Sequence, residues 1–221
     1  MMKNLRISGI ALVLVVLSLS CKEKKTELPG VPDFVPKEII DDFRSKGLII
    51  NEGVTPPMLE GYYLASPLTL LVPFGPDDPY QAGKLFSDYR YSFYDQTDDN
   101  QIKYDFKSAN GSATGTGTGS FISGEGNKFT LYSEQIGETY GIENKQITII
   151  SGELDSDGIK NWQEAFVFTY KGDDPNGQLI QVGQGRIIYD SDHISERVSS
   201  LRLDLSAGDP SESDALIGSQ K

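Results

Sequence analysis

The segment 153–164 carries oxygen-bearing side chains at the spacing of a calcium-binding loop. In such a loop the ligands stand at positions 1, 3, 5, 9 and 12, and a glycine at position 6 lets the chain turn around the ion. The matching residues are Glu153, Asp155, Asp157, Asn161 and Glu164, with Gly158 at the turn. We expect no cofactor, and calcium bound at this loop is the alternative.

Three features of the same segment favour a tight hairpin instead. Position 1 is a glutamate, whose longer side chain misplaces the ligand, and Lys160 stands at position 8, where an aliphatic residue is expected. The flanking residues alternate in polarity as strands do, whereas a calcium loop of this type lies between helices. We therefore expect 155–158 to be the turn between two strands.

Other residues that could do chemistry give weaker patterns. The glycine-rich run 110–119 lacks the Gly-Lys-Ser/Thr ending of a phosphate-binding loop, and its alternating glycines suit a bulge or close packing inside a barrel.

His193 is the only histidine and Cys21 the only cysteine, which excludes a zinc site built on these residue types. We expect His193 in a surface turn. With 32 acidic residues, a carboxylate pair for glycoside cleavage remains open, but no pair stands out.

The elements that must position these residues are mainly strands. From Leu59 onward, apolar residues recur at every second position in runs at 88–93, 102–107, 128–131 and 166–170, with a further run at 201–205. The segment 147–150 is β-branched throughout, and 179–189 is another long run of strand-like composition. Turn-forming residues separate them at 98–100, 124–127, 157–158 and 173–177. About eight strands joined by short turns predict an antiparallel meander in a single β domain, 36–205, closed as a barrel or, alternatively, stacked as a sandwich.

One short helix is predicted ahead of the strands, at 36–46. Pro36 suits a helix start, and Gly47 is placed to end the helix. Between them, Ile39, Ile40 and Phe43 share one face at helical spacing. The charged and then proline-rich stretch 21–35 is typical of a flexible tether, and 206–221 is predicted to be a disordered tail.

Residues 1–20 have the pattern of a secretion signal. Lys3 and Arg6 precede the mostly apolar run 7–19, whose 13 residues suit a signal peptide and are too few to span a bilayer. A lone cysteine at the cleavage point, Cys21, predicts a lipoprotein in which diacylglycerol is attached to the thiol and acyl chains such as palmitate anchor the protein to a membrane. No aspartate follows the cysteine as an inner-membrane retention signal, so the outer membrane is expected, with the leaflet left open.

The charge balance narrows the range of partners. The chain carries 20 lysines and arginines against 32 aspartates and glutamates, a net charge of −12. Such a surface repels the phosphates of nucleic acids and anionic lipid headgroups, so we expect no nucleic-acid partner. With a single cysteine the chain has no internal disulfide, and it must fold on its hydrophobic core.

Three stretches resemble a group of uncharacterised lipoproteins of Bacteroidetes: Gly-Val-Thr-Pro-Pro-Met-Leu-Glu-Gly-Tyr-Tyr at 53–63, Ile-Ser-Gly-Glu-Gly-Asn-Lys-Phe-Thr at 122–130, and 158–161. The resemblance runs from the predicted helix to about Asp192 and implies no known chemistry. Gly61-Tyr62-Tyr63 is also similar to the Gly-x-Trp start of lipocalin-type barrels, without its tryptophan. That likeness implies a calycin-like barrel with an interior cavity.

Two classes of function follow as expectations. The favoured one is a non-enzymatic binding module for a small ligand, a glycan or a partner protein. A structural subunit of an envelope complex is a related alternative. The alternative is a carboxylate-dependent hydrolase. Trp162 and the tyrosines could stack on sugars, but their spacing along strands is explained more simply by core packing.

Overall fold

The computed structural model describes residue 31 and residues 33–201, which form one helix and eleven β-strands. The helix α1 is Lys37–Ser45. The strands are β1 Val54–Thr55, β2 Gly61–Ala65, β3 Leu68–Val72, β4 Tyr89–Tyr94, β5 Lys103–Ser108, β6 Thr114–Glu125, β7 Lys128–Thr139, β8 Ile142–Leu154, β9 Gly158–Lys171, β10 Gly185–Asp190 and β11 Ile194–Val198. No helix in these ranges is long and apolar enough to cross a membrane.

Eight of the strands close into an antiparallel barrel, which confirms the predicted barrel over the sandwich. Strands β2, β4, β5, β6, β7, β8 and β9 pair in that order, and β11 closes the ring by pairing with both β9 and β2. From β4 to β9 each strand pairs with the next along the chain, which is the predicted meander. The far half of β9 also pairs with β10, and β10 pairs with β3. Closure leaves these eight strands without the exposed edges that promote aggregation.

The alternation of each strand fills the barrel with aromatic side chains. The buried rings of this core include those of Tyr63, Tyr91, Phe93, Tyr104, Phe106, Trp162, Phe166 and Phe168. Tyr91 lies at the centre, with its ring centroid 4.8 Å from that of Trp162 and stacked on Phe93 at 5.9 Å. Because successive side chains of a strand point to opposite faces, the apolar residues of the alternating runs become this core.

The glycine-rich strand makes room for two of these rings, as its alternation predicted. A Cβ atom at Gly117 would overlap the ring of Tyr104, and one at Gly115 would overlap the ring of Phe106. Gly119 has a positive φ of 58° where the register of β6 shifts against β7. Glycine is therefore required here by close packing and a bulge.

The helix lies where it was predicted and packs outside the barrel. Pro36 stands just before its first residue, and Gly47, at a φ of 106°, follows its end. Ile40 and Phe43 are buried in a second apolar cluster with outward residues of β7, β8, β9 and β10. Val35, placed in the predicted tether, is also buried in this cluster.

The C-terminal part of the fold differs from the sequence prediction. The run 179–189 is not one strand, because β10 begins only at Gly185, while Leu179 and Ile180 pack into the barrel core. The last described strand is β11, which the alternation did not reveal, and Leu201 lies in a bend. The rest of the predicted strand at 201–205, the tail 206–221 and the signal segment 1–20 lie outside the described residues.

Candidate functional site

The structure does not bring the predicted calcium ligands together. Asp155 and Asp157 lie in the turn between β8 and β9, where the backbone N–H of Asp155 donates to the carbonyl of Gly158 at 2.8 Å. This is the hairpin expected for 155–158. Glu164 is the seventh residue of β9 and is buried inside the barrel. Among residues 31 and 33–201, no group of three or more acidic, histidine or cysteine side chains is arranged to hold a metal ion.

Asp155, one of the candidate calcium ligands in the turn, is already paired with a lysine. Asp155 accepts a hydrogen bond from the ammonium of Lys160 at 2.5 Å and another from the backbone N–H of Ser156 at 2.6 Å. The bond from Lys160, together with those from Ser156, lowers the pKa of Asp155 to about 2. Glu153 lies 3.8 Å from the ammonium of Lys128. Lysines therefore compensate the charges of two of the candidate calcium ligands.

Glu164 forms the polar centre of the barrel. It lies on the inward face of β9 between Trp162 and Phe166, and the hydroxyl of Tyr91 donates a short hydrogen bond to its carboxyl. Burial raises the pKa of Glu164 to about 7, and the bond from Tyr91 opposes that rise in part. Burial and the neighbouring carboxylate also raise the pKa of Tyr91 well above its ordinary value. Near neutral pH the carboxyl of Glu164 can therefore keep its proton, and the hydroxyl of Tyr91 keeps its own.

A small cavity adjoins this centre. Its volume is about 10 Å³, and its lining includes Tyr91, Gln135, Gln146 and Glu164. Gln135 accepts a hydrogen bond from the hydroxyl of Tyr104 at 3.0 Å, whereas the amide oxygen of Gln146 is buried with no partner among the described residues. Such a space holds about one water molecule. The interior cavity implied by the lipocalin likeness is therefore present, but it is far below ligand size.

A much larger space lies on the outer face of the barrel. It is a groove of about 380 Å³ across β6, β7, β8 and the end of β9. Thr116, Ile136, Lys145 and Tyr170 are in register as one row across the four strands. Thr114, Glu138 and Glu143 form a second row. Between the rows, Gly115 and Gly137 contribute only backbone to the floor.

The groove combines an aromatic wall with a polar rim. Tyr170 is 47 % exposed and Ile136 is 42 % exposed, so both present apolar surface to solvent. Glu138 and Glu143 are exposed and lie directly opposite each other on β7 and β8. Like charges in such cross-strand pairs are destabilising, so the fold gains nothing from this arrangement. The groove can stack a flat apolar face on Tyr170 while carboxylate and hydroxyl oxygens accept hydrogen bonds.

The remaining predicted residues are structural or lie outside the described ranges. His193 is exposed in the turn between β10 and β11, as expected, with a φ of 71°. Trp162 is fully buried, which confirms core packing over a sugar platform for this residue. Asn161 lies on β9 with a φ of 54°. Cys21 is outside the described residues.

Sequence reasoning did not identify the groove or the buried centre. The buried centre had a readable signal, because Glu164 shares the alternation of Trp162, Phe166 and Phe168 and must therefore face inward with them. Tyr170 gave a misleading signal. It continues the same alternation, but a register shift opposite Lys145 and Gln146 turns it outward.

Comparison of the chain with known protein families, with curated proteins and with solved structures finds no match in any of the three. The fold class therefore comes from the structure alone. It is a closed eight-stranded antiparallel barrel with a helix packed on its outside.

Proposed function

We propose that this protein is a lipid-anchored, non-enzymatic binding module of the bacterial envelope, and that its outer groove holds a glycan chain. The observation that carries the proposal is the groove across β6 to β9, whose volume of about 380 Å³ falls in the range of ligand sites. The barrel interior is the alternative location for a ligand. Its cavity of about 10 Å³ admits no molecule larger than water, so the outer surface is favoured.

The chemistry of the groove supports a sugar chain among the expected ligands. Sugar rings have an apolar face that packs on an aromatic side chain and a rim of hydroxyls that donate and accept hydrogen bonds. Tyr170 provides an exposed ring with a polar tip. Thr114, Thr116, Glu138 and Glu143 provide acceptors in two rows along the groove. A depression that crosses four strands accommodates a chain better than a compact apolar molecule.

The hydrolase alternative finds less support. An acid catalyst in glycoside cleavage needs a carboxyl that burial keeps protonated, with a second carboxylate across the scissile bond. Glu138 and Glu143 face each other but are exposed. Glu164 is buried, but among the residues that line its cavity it is the only carboxylate. Neither position combines burial with a pair.

The proposal is tested by titrating the mature protein with soluble fragments of envelope glycans while following backbone amide NMR shifts. We expect saturable shifts at residues of the groove, and the fragments recovered uncleaved. Tyr170→Ala should weaken binding at least tenfold. Tyr62→Ala, which removes another partly exposed tyrosine elsewhere on the barrel, should leave it unchanged.

Three results would contradict the proposal in different ways. Equal weakening by both tyrosine substitutions would show that the groove is not the site. Cleavage of the fragments that is lost in Glu138→Gln or Glu143→Gln would replace the binding module with the hydrolase. Saturable binding of a protein, with no glycan binding, would assign the groove to a partner protein.

A further inference from the structure

The cavity beside Glu164 is lined by more hydrogen-bond acceptors than the protein uses. The amide oxygen of Gln146 has no donor among the described residues, although the side chain is 95 % buried. A buried acceptor without a donor loses its hydrogen bonds to water and gains none in return, so native proteins seldom leave one unfilled. Gln146 lines the same cavity as Glu164 and Gln135, whose oxygens accept bonds from Tyr91 and Tyr104. Each oxygen of a carboxyl or amide has two lone pairs and can accept a second bond.

The cavity has the size of a single heavy atom with its hydrogens. A volume of about 10 Å³ matches the space needed for one water molecule. Its remaining walls are largely aromatic and include Tyr89, Phe106 and Phe166. An occupant must therefore be small and must donate hydrogen bonds to oxygen.

We propose that this cavity is a built binding site for one single-heavy-atom hydrogen-bond donor, held between the amide oxygen of Gln146 and the carboxyl of Glu164. Two species have this chemistry. Water donates two hydrogen bonds and suits a protonated, neutral Glu164. An ammonium ion donates four and suits an ionised Glu164. The site is independent of the outer groove, and neither proposal depends on the other.

Substitution of Gln146 tests the site, because an occupied and an empty cavity predict opposite changes in the melting temperature. Gln146→Met keeps the length of the side chain and removes the acceptor. If the cavity is occupied, the substitution breaks a bridging hydrogen bond, and the melting temperature falls by roughly 2–4 °C for a chain of this length. If Gln146 is truly without a partner, methionine removes an unsatisfied polar group and the melting temperature rises. Gln81→Met makes the same chemical change at an exposed position and should leave it unchanged.

A second measurement keeps the test decisive if the variant folds poorly. A crystal structure of the unaltered protein should show a density peak within hydrogen-bond distance of the Gln146 amide oxygen. Melting in ammonium chloride and in sodium chloride at equal ionic strength, near pH 8, then identifies the occupant. Greater stability in ammonium, absent in Gln146→Met, indicates an ammonium ion, and equal stability in both salts indicates water. An empty cavity, or a Gln146→Met protein that melts at a higher temperature, overturns the proposal.

Discussion

Replacing Glu164 with glutamine should remove a large part of the pH dependence of stability. In the folded barrel, burial raises the pKa of this carboxyl to about 7, whereas its ordinary value is 4.5. Between these two pH values the unfolded chain has released the proton and the folded chain still holds it. The unfolded state therefore binds fewer protons, and the free energy of unfolding falls as the pH rises from 4.5 to 7. The contribution is fully present below pH 4.5 and lost above pH 7.

The size of the effect follows from the two pKa values. Each tenfold difference in proton affinity corresponds to about 1.4 kcal/mol, so the ionisation of Glu164 removes about 3 kcal/mol of stability across this interval. Glutamine cannot ionise. The Glu164→Gln protein should therefore lack this part of the slope and should gain stability relative to the unaltered protein as the pH rises towards 8.

The assay is urea unfolding at several pH values between 4 and 8, followed by tryptophan fluorescence. Trp162 is the only tryptophan, and its ring packs 4.8 Å from that of Tyr91, so it reports directly on the barrel core. Asp190, whose pKa burial raises to about 6, contributes its own slope to both proteins and cancels in the difference. Parallel pH profiles for the two proteins would refute a buried, proton-holding Glu164.

Three further predictions concern other parts of the chain. Cys21→Ser should move the protein from the membrane fraction to the soluble fraction and abolish incorporation of labelled palmitate; continued labelling would contradict lipidation at this residue. Gly117→Ala should cost about 1–3 kcal/mol of stability in urea unfolding, because the new methyl group overlaps the ring of Tyr104, while Gly75→Ala, which has open space around it, should change stability by less than about 0.5 kcal/mol. Millimolar calcium should leave the melting temperature unchanged, because Asp155 is paired with Lys160 and Glu164 faces the barrel interior; stoichiometric calcium binding that raises it would restore the calcium loop.

Much of the fold was predictable because local patterns and tertiary structure agree. The strands from β4 to β9 alternate in polarity, and most are joined by short turns containing Gly or Asp, so their order and pairing follow from the sequence. Helix α1 begins and ends within one residue of its predicted limits, because Pro36 and Gly47 mark them.

The parts that were not predictable depend on contacts distant in the sequence. Strand β11 is short and mixed in polarity, and it is a strand because it bridges β9 and β2. Leu179 and Ile180 resemble strand residues, but the chain uses them to cover the barrel core before β10 begins. The groove depends on the register of four strands and on the shift that turns Tyr170 outward. None of these features can be predicted from the residues of one segment alone, because each depends on contacts between segments.

The spacing of the calcium motif illustrates the same limit. Its oxygen ligands fit the required positions only if 153–164 wraps around an ion, whereas β9 begins at Gly158 and carries Glu164 into the barrel. Once the chain is extended, successive residues are about 3.3 Å apart along the strand and alternate between its faces. The turn and the buried carboxyl are then separated in space, and each acquires its own partner, Lys160 for Asp155 and Tyr91 for Glu164.

We propose that the outer groove, and not the barrel interior, binds the ligand of this protein. Amide NMR of the unaltered protein, with envelope-glycan fragments added in steps, distinguishes the two sites. We expect saturable shifts concentrated at Ile136, Glu138, Lys145 and Tyr170, which line the groove. Shifts concentrated at Gln135, Gln146 and Glu164, which line the interior cavity, would contradict it, as would spectra that do not change at all.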